Sequence, residues 1–139
     1  MSHSTSYAGS QSFHVRPAPA ELVGLWVAQI ALASLFLLAG GSKLAGVPAT
    51  VTLFEAIGVG QWFRYVTGLI EVGSAIALFV PSLALFGAVA LVATMLGAIV
   101  THVFVVGGSP AVPAVVLLAA LVVVWARRGQ LLAALPGPR

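Results

Sequence analysis

The sequence contains no cysteine and no aspartate, and only 6% of its 139 residues are charged. Without cysteine there is no disulfide, thiol relay, thiolate metal site or cysteine-attached haem. Any redox role must therefore use a cofactor that the chain does not itself carry. Without aspartate no Ser-His-Asp set can form. An ordinary soluble domain is about 25% charged, so a soluble enzyme, a nucleic-acid reader and a disordered chain are all excluded. The net charge of +3 and pI of 10.2 come from six Lys or Arg against three Glu. These cations form no dense stripe that could track phosphates, which removes nucleic acid as a partner. They are better read as topology signals at membrane edges.

What the chain does have is apolar length: 60% of it is hydrophobic, with a mean hydropathy of +1.13. Residues 1–20 form a polar, Ser-rich tail, too polar for the apolar core of a signal peptide and expected to be disordered. The membrane domain follows over 21–128, and a second tail occupies 129–139. Four apolar blocks lie at about 22–44, 63–80, 83–106 and 111–126. The first has no charge from 22 to 42 and reaches about 30 Å, the thickness of a hydrocarbon core. Pro81 and Ser82 make a tight turn, and residues 107–110 (Gly-Gly-Ser-Pro) break the third block from the fourth. Long continuous blocks argue against a membrane barrel, which needs many alternating segments. The expectation is an all-α, antiparallel bundle of four transmembrane helices.

The connection over 46–62 has its own pattern. Val51, Phe54 and Ile57 recur at helical spacing, with Pro48 able to start a short helix and Gly58 to end it. This predicts an amphipathic helix on the bilayer surface or over the mouth of the bundle. With four spans, both termini and the Pro81 turn share one side. That side carries Arg16, Arg127, Arg128 and Arg139, against Lys43 and Arg64 on the other. The positive-inside bias puts both termini in the cytoplasm of a multi-pass plasma (inner) membrane protein.

The polar residues of the blocks converge on one depth. Lys43 ends the first helix, Arg64 starts the second with Glu71 about 10 Å deeper, and His102 lies one turn before the third ends. All four occupy the half of the membrane away from the termini. Their faces agree as well. Gln29, Ala33, Gly40 and Lys43 share one side of the first helix, and Arg64, Thr67, Gly68, Glu71 and Ser74 share one side of the second. Thr94, Ala98, Thr101 and His102 make a broader polar face on the third. Glu71 inside a span must be paired, protonated or beside water, and Lys43, Arg64 and His102 are its candidate partners. Two readings stay open: a buried ion pair that sets helix register, or a ligand site. Arg64 and Lys43 also suit interface anchoring, and His102 can bond a backbone carbonyl. One membrane histidine cannot make a bis-histidine haem, and Glu71 with His102 is too few ligands for a metal.

Four segments in order resemble DoxX-like membrane proteins: Phe36-Leu-Leu-Ala-Gly-Gly-Ser-Lys43-Leu44, Phe54-Glu-Ala-Ile-Gly58, Tyr65-Val-Thr-Gly-Leu-Ile-Glu71-Val-Gly73 and Met95-Leu-Gly-Ala-Ile-Val-Thr-His102. The resemblance covers roughly residues 22 to 128. It implies a four-helix membrane bundle, with Lys43, Glu71 and His102 at matching polar positions and Arg64 where a basic residue is common. Family members include subunits associated with quinol oxidation and thiosulfate:quinone oxidoreduction. The expectation is therefore an accessory or subunit of a quinone-linked redox process, with no intrinsic cofactor. It would bind a quinone at Lys43, Glu71, His102 and Arg64 and take electrons from a soluble or membrane partner protein. The competing reading is a non-enzymatic scaffold that recruits partner proteins, with the polar cluster structural. A small-solute or proton carrier would require a homo-oligomer of a bundle this small.

Overall fold

The structure, a computed structural model, describes residues 19–134; residues 1–18 of the polar tail expected over 1–20, and the last residues, 135–139, lie outside them. Among the described residues there are only helices and short connections, in the order α1 (Pro19–Ala45), α2 (Pro48–Ile57), α3 (Gln61–Phe79), α4 (Ala84–Thr101) and α5 (Ala111–Ala134). The last turn of α4 widens into a π-helical segment, His102–Val106. α1, α3, α4 with its π segment, and α5 are each long and apolar enough to cross a membrane. Large side chains point outward around the bundle, among them Leu38 at 76% and Phe104 at 80% exposure. Apolar surface on that scale is compatible only with a lipid surround. The protein is an all-α, four-span membrane bundle.

Local chemistry sets the element ends. Pro19 opens α1 where an N–H would lack a partner anyway, and Glu21 in the first turn with Lys43 in the last complements the helix dipole. α1 stops in a Schellman motif: Val47 N–H donates to Ser42 O at 3.0 Å and Gly46 N–H to Lys43 O at 3.3 Å. That motif needs a left-handed residue, supplied by Gly46 at φ +71°. Pro48 starts α2, and Gly58 at φ +77° ends it with N–H bonds to Phe54 O and Glu55 O. α3 ends at Val80, which is extended ahead of Pro81.

Two boundaries differ from the sequence reading. α1 begins at Pro19, inside the segment expected to be tail. α5 continues through Gly129 to Ala134, past the end of its apolar block at Ala126. The reason is intrinsic propensity: Gln, Leu and Ala after Gly129 are good helix formers, and a single glycine does not stop a helix without a cap. Hydropathy marks where a helix leaves the membrane, not where it ends.

The spans pack in the cyclic order α1, α3, α4, α5, with α5 returning to α1. The core between them is built from Leu32, Ala33 and Phe36 of α1, Ala75 and Leu78 of α3, Ala88, Leu91 and Met95 of α4, and Ala120 and Val123 of α5. α1 and α3 touch backbone to backbone. A Cβ on Gly40 would stand 2.9 Å from Gly68 O, and one on Gly68 would stand 3.0 Å from Gly40 O. Such contact between small residues is how membrane helices gain dispersion energy without a hydrophobic drive. It also fixes the height of Lys43 against Glu71.

Candidate functional site

Lys43, on the last turn of α1, reaches across this glycine contact to Glu71 on α3. Its Nζ donates to Glu71 Oε2 at 2.7 Å and to Ala39 O at 3.4 Å. Glu71 is 2% exposed, so its charge is met by Lys43 and not by water. An isolated carboxylate in a span costs about 2.5–3.5 kcal/mol on insertion scales, which the pairing offsets. An ammonium has three N–H donors, so one on Lys43 remains after these two bonds.

Arg64 sits elsewhere in the cluster. It is 4% exposed, donates through Nε to Gln61 Oε1 at 2.7 Å and through Nη1 to Lys43 O, and lies 4.2 Å over the Tyr65 ring. At the end of α1 the guanidinium adds a second donor to a carbonyl that already accepts from Gly46 N–H. Arg64 is thus a clamp on the Lys43 main chain and does not line the neighbouring cavity.

That cavity, of about 900 Å³, lies between the spans at the end away from the Pro81 turn. Leu53, Phe54 and Ile57 of α2 contribute to it from above, and Phe54 meets the Phe63 ring edge-on at 5.7 Å. The amphipathic connecting helix therefore folds over the bundle mouth. The walls are mostly apolar, and the polar groups on them are Lys43, Thr67, Glu71, Thr94, Thr101 and His102. Thr67 and Thr94 donate their hydroxyl protons to Phe63 O and Ala90 O within their own helices, which leaves their oxygens as acceptors. His102 Nδ1 is 2.8 Å from Ala98 O. A carbonyl only accepts, so Nδ1 carries the proton, and Nε2 of the neutral ring is an acceptor. The ring sits where α4 turns π-helical, a local widening often found at functional positions.

Of the four candidate residues, the structure brings Lys43 and Glu71 into contact, puts His102 on the wall of the same cavity and places Arg64 behind them. Among the described residues no three of His, Cys, Asp or Glu gather into a group able to hold a metal. The lining offers one spare ammonium proton and one imidazole acceptor in a largely apolar wall.

A second polar contact lies at the other end of the bundle. Gln29 is fully buried; its Nε2 donates to Leu78 O at 2.8 Å, and its Oε1 accepts from Arg127 Nη2 at 2.7 Å. Gln29 was visible on the polar face of α1, but Arg127 reads from sequence as an interfacial cation. The signal for the pairing was a lone amide in an otherwise uncharged span, which must find a partner.

The DoxX-like family profile matches residues 27–125. No curated protein and no solved structure matches the chain. The profile runs from within α1 to within α5 and takes in α2, α3, α4 and the whole Lys43–Glu71–His102 arrangement, and the chain belongs to the DoxX-like family.

Proposed function

We propose that the chain is an accessory or subunit in a quinone-linked redox process and holds a quinone in the cavity below α2. The observation that carries this reading is the cavity itself. Its volume of about 900 Å³ falls within the range of about 300–1,000 Å³ typical of small-molecule sites, and its polar groups gather around Lys43, Glu71 and His102. When bound, a quinone supplies a two-electron, two-proton couple. Lys43 donates its spare N–H to a ring carbonyl, and Glu71 keeps that ammonium in place. His102 accepts through Nε2 or, when protonated, donates, which suits it to proton exchange with the ring. Electrons come from a partner protein on this reading, and the sequence has no cysteine that could relay them as a thiol.

The same reading puts the chain in the plasma membrane with both termini cytoplasmic, because Arg127 and Arg128 lie at the end of the bundle opposite Lys43. The cavity then belongs to the non-cytoplasmic half.

Lipid-extract mass spectrometry on protein purified in mild detergent tests the proposal. A quinone that co-purifies with the wild type, is depleted in His102→Phe and is lost in Glu71→Gln supports it. No quinone in the wild type, and no binding of added quinone, sinks it. One observation favours a scaffold as the second reading: Lys43 and Glu71 already satisfy each other at 2.7 Å, as a purely structural pair would. On that reading Lys43→Met and Glu71→Gln change stability but leave partner capture intact.

A further inference from the structure

Residues from the facing sides of α3 and α4 line the cavity together. On α3, Thr67, Ile70 and Ser74 share one face, as do Gly87, Ala90, Thr94, Gly97 and Thr101 on α4. Near the Pro81 turn these two faces touch: a Cβ on Gly87 would lie 2.7 Å from Ser74 O and 3.0 Å from Ala77 Cβ. Farther along, Thr67 and Ile70 of the one face and Ala90, Thr94, Gly97 and Thr101 of the other line the cavity. α3 and α4 therefore form a wedge hinged at Ser74 and Gly87.

The outer lip of this wedge is bare. Ile70 is 45% exposed, Ala93 and Gly97 are exposed, and a Cβ on Gly97 would meet nothing within 4 Å. All three also line the cavity. These residues lie within the spans, so the opening faces lipid hydrocarbon and not water. Small residues in membrane helices usually bring two helices together. At Ala93 and Gly97 no helix does so, and a slot remains. The α1–α5 side also has exposed lining residues, Leu35 and Val112, both bulkier than Ala93 and Gly97.

We propose that the α3–α4 seam is a lateral gate through which a tailed lipophile enters the cavity head first from the bilayer. Its chain stays in the slot between Ile70 and Gly97 once the head reaches Lys43 and His102. The inference rests on the quinone reading for the head group. It adds that the ligand class is a long-tailed lipophile drawn from the membrane, not a compact solute enclosed by the bundle. The tail never leaves an apolar environment, so entry carries no aqueous transfer cost.

The test uses the full chain in phosphatidylcholine nanodiscs and a decyl-tailed benzoquinone with a diazirine at the tail end. Labelled positions are mapped by peptide mass spectrometry, with and without a tailless benzoquinone as competitor. Competable labels on Ile70, Ala93 or Gly97 are expected. Gly97→Phe should weaken the decyl quinone about tenfold more than the tailless one, and Ala93→Leu should do the same to a smaller degree. Competable labels on Leu35 and Val112 instead overturn the gate and leave the quinone reading standing. Labelling that the tailless quinone does not reduce at any position overturns both. The wild-type labelling pattern decides the matter even where a variant folds poorly.

Discussion

The ammonium of Lys43 and the carboxylate of Glu71, 28 residues apart in the chain, meet at 2.7 Å beside a backbone contact between Gly40 and Gly68. The glycines set the helix register, and the ion pair depends on it. Lys43 is held a second time through its carbonyl oxygen by Arg64. One residue thus carries both the α1 terminus and the charge that faces the cavity.

Breaking this pair from one side should cost more than removing it whole. Lys43→Met leaves Glu71 buried without a counter-charge and should destabilise the bundle by about 3–5 kcal/mol. The double variant Lys43→Met with Glu71→Leu should recover much of that loss. Reversible unfolding in mixed micelles measures both together with Glu71→Leu alone, and a double variant that loses the sum of the two single losses would show that the pair is not coupled.

The glycine contacts should discriminate sharply between positions. Gly40→Val and Gly87→Val place methyl groups against Gly68 O and Ser74 O, where even a Cβ has only 2.9 Å and 2.7 Å. Overpacking of this kind costs about 1–3 kcal/mol and sometimes more. Gly41→Ala, next to Gly40 but with nothing within 4 Å of its Cβ, should be silent. Thermal midpoints of the three variants in one detergent make the comparison.

Arg64 should act on the end of α1. Arg64→Met removes the donor to Lys43 O, and amide exchange at residues 43–47 should speed up while the centre of α1 stays protected. Arg64→Lys should not rescue it, because an ammonium lacks the planar fork that reaches Gln61 Oε1 and Lys43 O together. Hydrogen-exchange mass spectrometry reads the segment directly.

At the far end, Gln29→Leu removes both an acceptor for Arg127 and a donor to Leu78 O. Leaving buried polar groups unmet costs about 1–3 kcal/mol. Arg127→Leu in the Gln29→Leu background should add less than Arg127→Leu alone, since the two share one hydrogen bond. Additive losses would mean that the latch is not an energetic unit.

The sequence by itself determined the architecture: four blocks too apolar and too long for a soluble core, cut by Pro81 and by the 107–110 break, with a short amphipathic helix between the first two. It also determined the depth at which Lys43, Glu71 and His102 gather, because alternating spans bring one end of each helix to the same side. Periodicity and length carry that information locally. Which carboxylate meets which cation is a matter of tertiary contact. Lys43 and Arg64 are both cations at the same depth, and only the close approach of Gly40 to Gly68 decides that the first faces Glu71 while the second clamps a carbonyl. The cavity and its roof of Leu53, Phe54 and Ile57 likewise come from how the spans and α2 pack around it. Small side chains allow either tight packing or an opening, and only the packed bundle shows which occurs at each height.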